Sequence, residues 1–232
     1  MTITGQALAV RADDGQIGCS AEGRVTRSLL GYGVLAGPFY VVVSLVQAAT
    51  RDGFDLSRHE WSLLAVGPGG WLQVTNLIVT GLMVLAAGVG YRRTLSGGTA
   101  ARWAPRLLAV YGASLVAAGV FRADPMNGFP VGTPDGPPVD LTMHGTLHLA
   151  AAGAGFLALV AACWVLARRF QQDGHGRRAW FARATGAAFL VAFAGLASGA
   201  TSAALNLAFT AAVLLIWAWL SLTSAHLYKS VS

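Results

Sequence analysis

Six long apolar stretches constrain this chain more than any other feature of its sequence. They are residues 29–50, 71–91, 104–121, 143–167, 184–202 and 204–227, and each is close to the length of about 20 residues that a helix needs to cross a bilayer. Charged residues make up 11% of the chain and hydrophobic residues 55%, a balance typical of integral membrane proteins. The sequence therefore predicts an all-α, polytopic membrane bundle of six transmembrane helices over residues 28–228.

The distribution of basic residues predicts the orientation of this bundle. Of the 16 Lys and Arg residues, three fall in the long connections 51–70 and 122–142, namely Arg51, Arg58 and Arg122. The others lie near the termini or in the shorter connections, and clustered basic residues mark the cytoplasmic side of a membrane protein. We therefore expect both termini in the cytoplasm, residues 1–27 as a flexible cytoplasmic tail, and the two long connections on the extracytoplasmic side. The expected location is the cytoplasmic (inner) membrane, which the chain crosses several times.

The expected partners follow from the same composition. The lipid bilayer surrounds the bundle, and its orientation signal explains the basic charge, so nucleic acid is not an expected partner. Small residues recur four apart at Gly33 and Gly37 and at Gly195 and Gly199, and faces of this kind let helices approach closely in lipid. We interpret them as packing faces within the bundle, with formation of a homo-oligomer through such faces as the alternative.

Polar residues within the spans favour their outer halves. Gln73, Asn76 and Thr80 form one stripe on the second helix, and Asn206 lies at the outer end of the sixth. If these stripes face the bundle axis, they form a polar cavity that opens outward and binds a ligand; hydrogen bonding between neighbouring helices is the alternative. The candidate ligand-binding residues are Gln73, Asn76, His59, Glu60, Trp71, Arg122 and Asn206.

A pair of histidines is the most specific polar feature. His144 and His148 are four residues apart on the first turns of the fourth helix, so both rings share one face. A helix N-terminus disfavours a positive charge, and neutral imidazole is the form that binds a metal or acts as a general base. Asp124, His59 or Glu60 offers a third ligand for a divalent metal such as zinc. Without a metal, Asp124, His144 and His148 are candidate catalytic residues, and hydrogen bonding to the protein or a ligand is the third interpretation.

Three separate blocks of sequence resemble one protein family. They are RHEWSLLAVGPGGWLQVTNLIVTG at 58–81, FRADPMNGFP at 121–130 and HGTLH at 144–148. In this order they resemble the bacterial integral membrane family catalogued as domain of unknown function 998, over about residues 28–225. The resemblance implies family membership and names no reaction.

Three hypotheses about function follow. The favoured one is a cavity that binds or moves a small lipophilic, amphipathic or lipid-like molecule. The second is a membrane-embedded enzyme, either a metal-dependent hydrolase or an acid–base isomerase or cyclase, that uses Asp124, His144 and His148 on a lipophilic substrate. The third is a structural subunit of a larger membrane complex.

Overall fold

The chain folds into six long helices, which a computed structural model describes over residues 20–138, 140–199 and 202–231. They are α1 (Ala21–Thr50), α2 (Gly70–Thr94), α3 (Gly98–Val120), α4 (Met143–Gln172), α5 (Gly176–Ala197) and α6 (Ala203–Ser230), with a short 3-10 helix, Trp61–Ala65, between α1 and α2. All six are long and apolar enough to cross a membrane. The predicted all-α, six-helix membrane architecture is confirmed, whereas the cytoplasmic termini and the inner membrane stay predictions.

The first helix begins earlier than its apolar stretch predicts. Ser20 caps α1, because its side-chain oxygen accepts a hydrogen bond from the backbone N–H of Gly23 at 3.1 Å. Glu22 lies in the first turn, where the positive end of the helix dipole favours a carboxylate. Residues 21–27, which hydropathy assigns to the flexible tail, are therefore helical. Residues 1–19 of the predicted tail lie outside the described residues.

The six helices pack in a ring. Each helix contacts its neighbours in sequence, and α6 returns to contact α1. Because consecutive helices run in opposite directions, the connections after α1 and α3 and the start of α6 lie at one end of the bundle, and the start of α1 and the end of α6 lie at the other. We call residues 51–69, 121–138 and 140–142 the cap, and we call their end of the bundle the capped end.

Close approach of α1 and α6 depends on two glycines. A Cβ atom at Gly33 would collide with the hydroxyl of Ser224, and one at Gly37 would lie 2.7 Å from Oγ of Ser221. This small-residue face is thus occupied within one chain and is not free to bind a second copy. A homo-oligomer formed through other small-residue faces stays a prediction.

Candidate functional site

A cavity of about 490 Å³ lies at the centre of the ring, in the half of the bundle nearer the cap. All six helices and the cap contribute to its wall, and most of the lining side chains are apolar or aromatic. Four phenylalanines form one aromatic cluster of the wall, with neighbouring ring centroids between 5.1 and 6.0 Å apart: Phe156, Phe189, Phe193 and Phe209. The cavity is therefore an apolar chamber with few polar groups.

Three aromatic rings close the cavity toward the middle of the bundle. Trp217 on α6 has its ring centroid 5.1 Å from that of Tyr40 on α1 and 5.7 Å from that of Tyr111 on α3. Tyr40 lies ten residues and Tyr111 nine residues from the capped end of its helix, a depth of roughly 14–15 Å at 1.5 Å per residue. We call these three rings the floor of the cavity.

Arg51 holds the cap together. Its guanidinium donates to the backbone carbonyl of Val66 at 2.6 Å and to that of Leu64. It also lies 4.9 Å from the ring centroid of Phe129, which belongs to the second cap segment. One side chain thus ties the end of α1 to both connections that cover the cavity.

His59 joins the same two segments. Its Nδ1 accepts a hydrogen bond from the backbone N–H of Asp55 at 2.9 Å, so Nε2 carries the ring proton and donates to the carbonyl of Asn127 at 2.9 Å. The ring is 2% exposed and lies between Phe54 and Phe129. Both nitrogens are therefore used within the cap, and His59 does not line the cavity.

Two further hydrogen bonds attach the cap to α6. The indole N–H of Trp61 donates to the hydroxyl of Thr210 at 3.1 Å, and the side-chain amide of Asn206 donates to the carbonyl of Ser57 at 3.2 Å. Asn206 is buried under the cap but is not part of the cavity wall. The structure therefore gives this predicted ligand-binding residue a role in holding the cap.

Asp124 lies on the wall of the cavity. Its carboxylate accepts hydrogen bonds from the backbone N–H of Thr142 at 3.0 Å and from its hydroxyl at 2.6 Å. The Thr142 hydroxyl in turn accepts from the backbone N–H of Gly145 at 3.0 Å and caps α4. A buried carboxylate is stabilised by such donors and by the helix N-terminus beside it.

His148 provides the second polar group of the wall. The last carbonyls of a helix have no partner within it, and Nδ1 of His148 lies 2.8 Å from the carbonyl oxygen of Phe121 and 3.2 Å from that of Ala118, at the end of α3. Because a carbonyl can only accept, Nδ1 carries the proton and donates. In the neutral ring this tautomer leaves Nε2 unprotonated, and the side chain is 3% exposed and on the cavity wall.

Glu60 lines the cavity from the cap side. Burial raises the pKa of its carboxyl group, and a backbone hydrogen bond opposes this only in part. A raised pKa means that the uncharged carboxyl is favoured more than in water. Glu60, Asp124 and His148 are thus the ionisable acid and imidazole groups in a mostly apolar wall, and within the described part of the chain no Lys or Arg contributes to it.

Gln73 and Asn76 lie elsewhere. The amide of Asn76 donates to the backbone carbonyl of Tyr40 and to Ser44, each at 3.1 Å, and Gln73 exchanges hydrogen bonds with Ser44 and Gln47. Both residues are buried and neither lines the cavity. The polar stripe of α2 therefore faces α1 and serves helix packing. Gln73 and Asn76 are not part of the cavity wall, contrary to the prediction that they bind a ligand there.

The remaining candidates are exposed. Trp71 is 67% exposed on the first turn of α2, and the Arg122 side chain is exposed beside the cap. His144 is also exposed, with its ring edge-on to Phe121 at 5.7 Å between centroids. None of the three lines the cavity.

The predicted metal site is not assembled. Across residues 20–138, 140–199 and 202–231, no group of three His, Cys, Asp or Glu side chains is placed to hold a metal ion. His144 is exposed whereas His148 is buried, and Asp124 is hydrogen-bonded to Thr142. Asp124 and His148 line the cavity and His144 does not, and a catalytic role for the three residues stays a prediction.

The aromatic wall is what the sequence interpretation missed. Phe189 and Phe193 are four residues apart on α5 and both line the cavity. Their spacing places them on one helix face, but an apolar pair in a membrane span gives no sign of whether it faces lipid, a neighbouring helix or a cavity.

These features define a six-helix protein of membrane type with a capped central cavity. A family model described as "Protein of unknown function (DUF998)" matches residues 34–226. The chain therefore belongs to this family, as the three blocks of sequence predicted. No curated protein and no solved structure matches it.

Proposed function

We propose that the protein binds a small amphipathic or lipid-like molecule in its central cavity. The observation that carries this proposal is a mostly apolar chamber of about 490 Å³ whose wall includes the ionisable side chains of Glu60, Asp124 and His148. Ligand sites in proteins typically measure about 300–1,000 Å³ and combine apolar walls with a few placed polar groups. An apolar tail would lie among the phenylalanines, and a polar head would lie against Asp124, His148 and Glu60.

The charges of the wall restrict the head group. Two carboxyl groups and an unprotonated imidazole nitrogen are all hydrogen-bond acceptors when Glu60 is ionised. The described wall contains no basic side chain that would pair with a phosphate or carboxylate. The site therefore favours a head that donates hydrogen bonds or carries a positive charge, such as a hydroxyl or an ammonium group.

An apolar opening supports entry of the ligand from the surrounding lipid. Leu149 on α4 lines the cavity and is also 59% exposed, and Leu141 of the cap lines it with 61% exposure. On α5, the exposed residue Ala197 belongs to the same wall. The cavity thus reaches the surface of the bundle between α4 and α5, where a lipophilic molecule could enter without crossing water.

Photolabelling tests this proposal directly. The protein in phosphatidylcholine nanodiscs is labelled with a diazirine derivative of a long-chain alcohol, and the labelled residues are mapped by mass spectrometry. We expect labelling of Phe193 and Phe209 that saturates and is reduced by excess unlabelled alcohol. Labelling confined to lipid-facing residues such as Val191, which is 72% exposed, contradicts the proposal.

A matched pair of substitutions on α4 provides the control. Ala152 lines the cavity, whereas Ala150 is exposed and does not. Ala152→Trp fills part of the chamber and should abolish the saturable labelling, while Ala150→Trp should leave it unchanged. Equal labelling of the two variants would show that the alcohol binds elsewhere.

Acid–base chemistry on the bound molecule is a second candidate function. It is favoured by the tautomer of His148, which leaves Nε2 as a base, and by the raised pKa of Glu60, which keeps a proton available in the same cavity. A bound molecule whose NMR spectrum changes over time with the parent protein, but not with Glu60→Gln, supports this candidate. A molecule recovered unchanged from the parent contradicts it.

A further inference from the structure

A second concave site lies at the end of the bundle opposite the cap. It is a groove of about 360 Å³ between α2 and α3. Its apolar lining consists of Leu85, Gly88, Val89, Ala101, Pro105 and Ala109. Its charged lining consists of Arg92, Arg102 and Arg106. The groove is separate from the central cavity and shares no lining residue with it.

The three arginines converge from two helices. Arg92 lies in the last turn of α2, and Arg102 and Arg106 are four residues apart on α3, so they share one face. All three are exposed, and none forms a hydrogen bond or ion pair with another described residue. By contrast, Arg169 at the same end of the bundle pairs with Asp173 at 2.7 Å. The groove therefore concentrates positive charge that the described protein does not neutralise.

Trp103 marks the level at which this charge lies. Its ring is 5.8 Å from the guanidinium carbon of Arg102 and 5.6 Å from that of Arg106, and the side chain is 45% exposed. Tryptophan favours the boundary between lipid tails and head groups. The arginines then lie at head-group depth, and Val89, which is 47% exposed, lies deeper along α2 at the depth of the tails.

We propose that this groove binds an anionic phospholipid. The phosphate lies against Arg92, Arg102 and Arg106, because guanidinium groups donate paired hydrogen bonds to phosphate oxygens. One acyl chain lies along the apolar length of the groove beside Leu85, Val89 and Ala109. Basic pockets between membrane helices bind anionic head groups in this manner. A general excess of positive charge explains the orientation of the bundle, but it does not require a groove that joins three arginines to an apolar trough.

Lipid retention tests the proposal. The full chain is reconstituted with equal amounts of phosphatidylglycerol and phosphatidylcholine, transferred to detergent, and its remaining lipids are counted by native mass spectrometry. We expect preferential retention of phosphatidylglycerol by the parent and a loss of about tenfold or more in Arg102→Gln/Arg106→Gln, since each basic residue near the surface contributes severalfold. Arg177→Gln/Arg178→Gln removes the same charge from exposed positions at the same end and should retain the preference.

A second pair of variants tests the apolar part of the groove without a change in charge. Ala109 lines the groove, whereas Val110 beside it is 47% exposed and does not. Ala109→Trp should lower retention of phosphatidylglycerol, and Val110→Trp should not. An equal loss in the two double-arginine variants, or an unaffected Ala109→Trp, would show diffuse attraction and overturn the proposal. Stabilisation by inorganic phosphate alone that matches phosphatidylglycerol would also overturn it, because the site would then bind free phosphate.

Discussion

The carboxylate of Asp124 occupies the space that a side chain at position 145 would need. A Cβ atom on Gly145 would collide with the carboxylate oxygen Oδ2 of Asp124. The same carboxylate holds Thr142, and Thr142 caps α4 through the N–H of Gly145. The absence of a side chain at Gly145 therefore allows the end of α3 to fix the start of α4 and to keep a carboxylate on the cavity wall.

Gly145→Ala should displace Asp124 and loosen the start of α4. The cost should be about 2 kcal/mol or more, because a lost helix cap and an overfilled contact each cost about 1 kcal/mol or more. Unfolding in detergent, followed by circular dichroism, measures the change. Gly153→Ala on the same helix is the control: nothing lies within 4 Å of its added Cβ, so it should be neutral or stabilise the helix by up to about 1 kcal/mol. Equal destabilisation by both variants would contradict this account.

Substitutions of His148 should separate the structural role of Nδ1 from the ligand-binding role of Nε2. His148→Asn places an amide N–H near the position of Nδ1 and so keeps the bond to the carbonyls of Phe121 and Ala118. It should preserve stability while weakening binding of the long-chain alcohol, because the acceptor Nε2 is lost. His148→Leu loses both and should also destabilise the fold by about 1–3 kcal/mol, the cost of unpaired buried polar groups.

Binding assays and unfolding of the same preparations check this separation. We expect His148→Leu to be less stable than His148→Asn, and both variants to bind the alcohol more weakly than the parent. If His148→Asn binds the alcohol as the parent does, Nε2 does not contact the head group.

The charge of the head group should control affinity and its pH dependence. We expect a long-chain amine to bind more tightly than the alcohol of equal length, and an alkyl phosphate to bind least. The fold raises the pKa of Glu60 above its ordinary value of 4.5, so stability from this group is present below that value and is lost as the pH rises through the raised pKa. An ammonium group beside the ionised carboxylate offsets that loss, so amine affinity should increase over the same rise in pH.

Glu60→Gln tests whether Glu60 causes the pH dependence of amine affinity. His59, Asp124 and His148 lie beside Glu60 or line the same cavity, and they remain in the variant. Titration calorimetry across the pH range should show a flat amine affinity for Glu60→Gln and a rising one for the parent. Tighter binding of the phosphate than of the amine would refute the acceptor character of the site.

Arg51 and Arg58 should differ in their contribution to the cap. Arg51→Gln removes the donors to Leu64 and Val66 and the contact with Phe129, with an expected loss of about 1–3 kcal/mol. Arg58 forms an ion pair with Asp135 at 2.6 Å, but its side chain is 52% exposed and that of Asp135 80%, so Arg58→Gln should cost at most about 0.5 kcal/mol. Limited proteolysis of the cap in each variant measures the difference. More rapid cleavage of Arg58→Gln than of Arg51→Gln would mean that Arg58, and not Arg51, holds the cap.

Hydropathy predicted the six helices because every span in a bilayer must satisfy its own backbone hydrogen bonds. It did not predict the start of α1, which depends on the side chain of Ser20. The histidine and aspartate of the cavity wall were found because charged or ionisable groups are rare in spans and therefore noticeable. The sequence could not show which histidine faces the cavity. In the structure, α4 turns His148 toward the end of α3 and leaves His144 exposed beside Phe121.

The stripe of Gln73 and Asn76 shows why a site cannot be located from polar periodicity alone. Periodicity identifies which residues share a helix face, but the neighbour of that face depends on how the helices are arranged. In this bundle Ser44 and Gln47 on α1 present matching hydrogen-bonding groups, so the amides are satisfied without a ligand. The apolar wall carried no chemical signal, since phenylalanine suits lipid, helix contacts and cavities equally.

The three rings of Tyr40, Tyr111 and Trp217 determine whether a molecule could pass from the cavity through the bundle. They belong to α1, α3 and α6, so a passage through the protein would require three helices to shift together. If a ligand binds as proposed and the rings stay in contact, it enters and leaves the cavity by the gap between α4 and α5. The proposed site would then exchange its ligand with one leaflet of the membrane only.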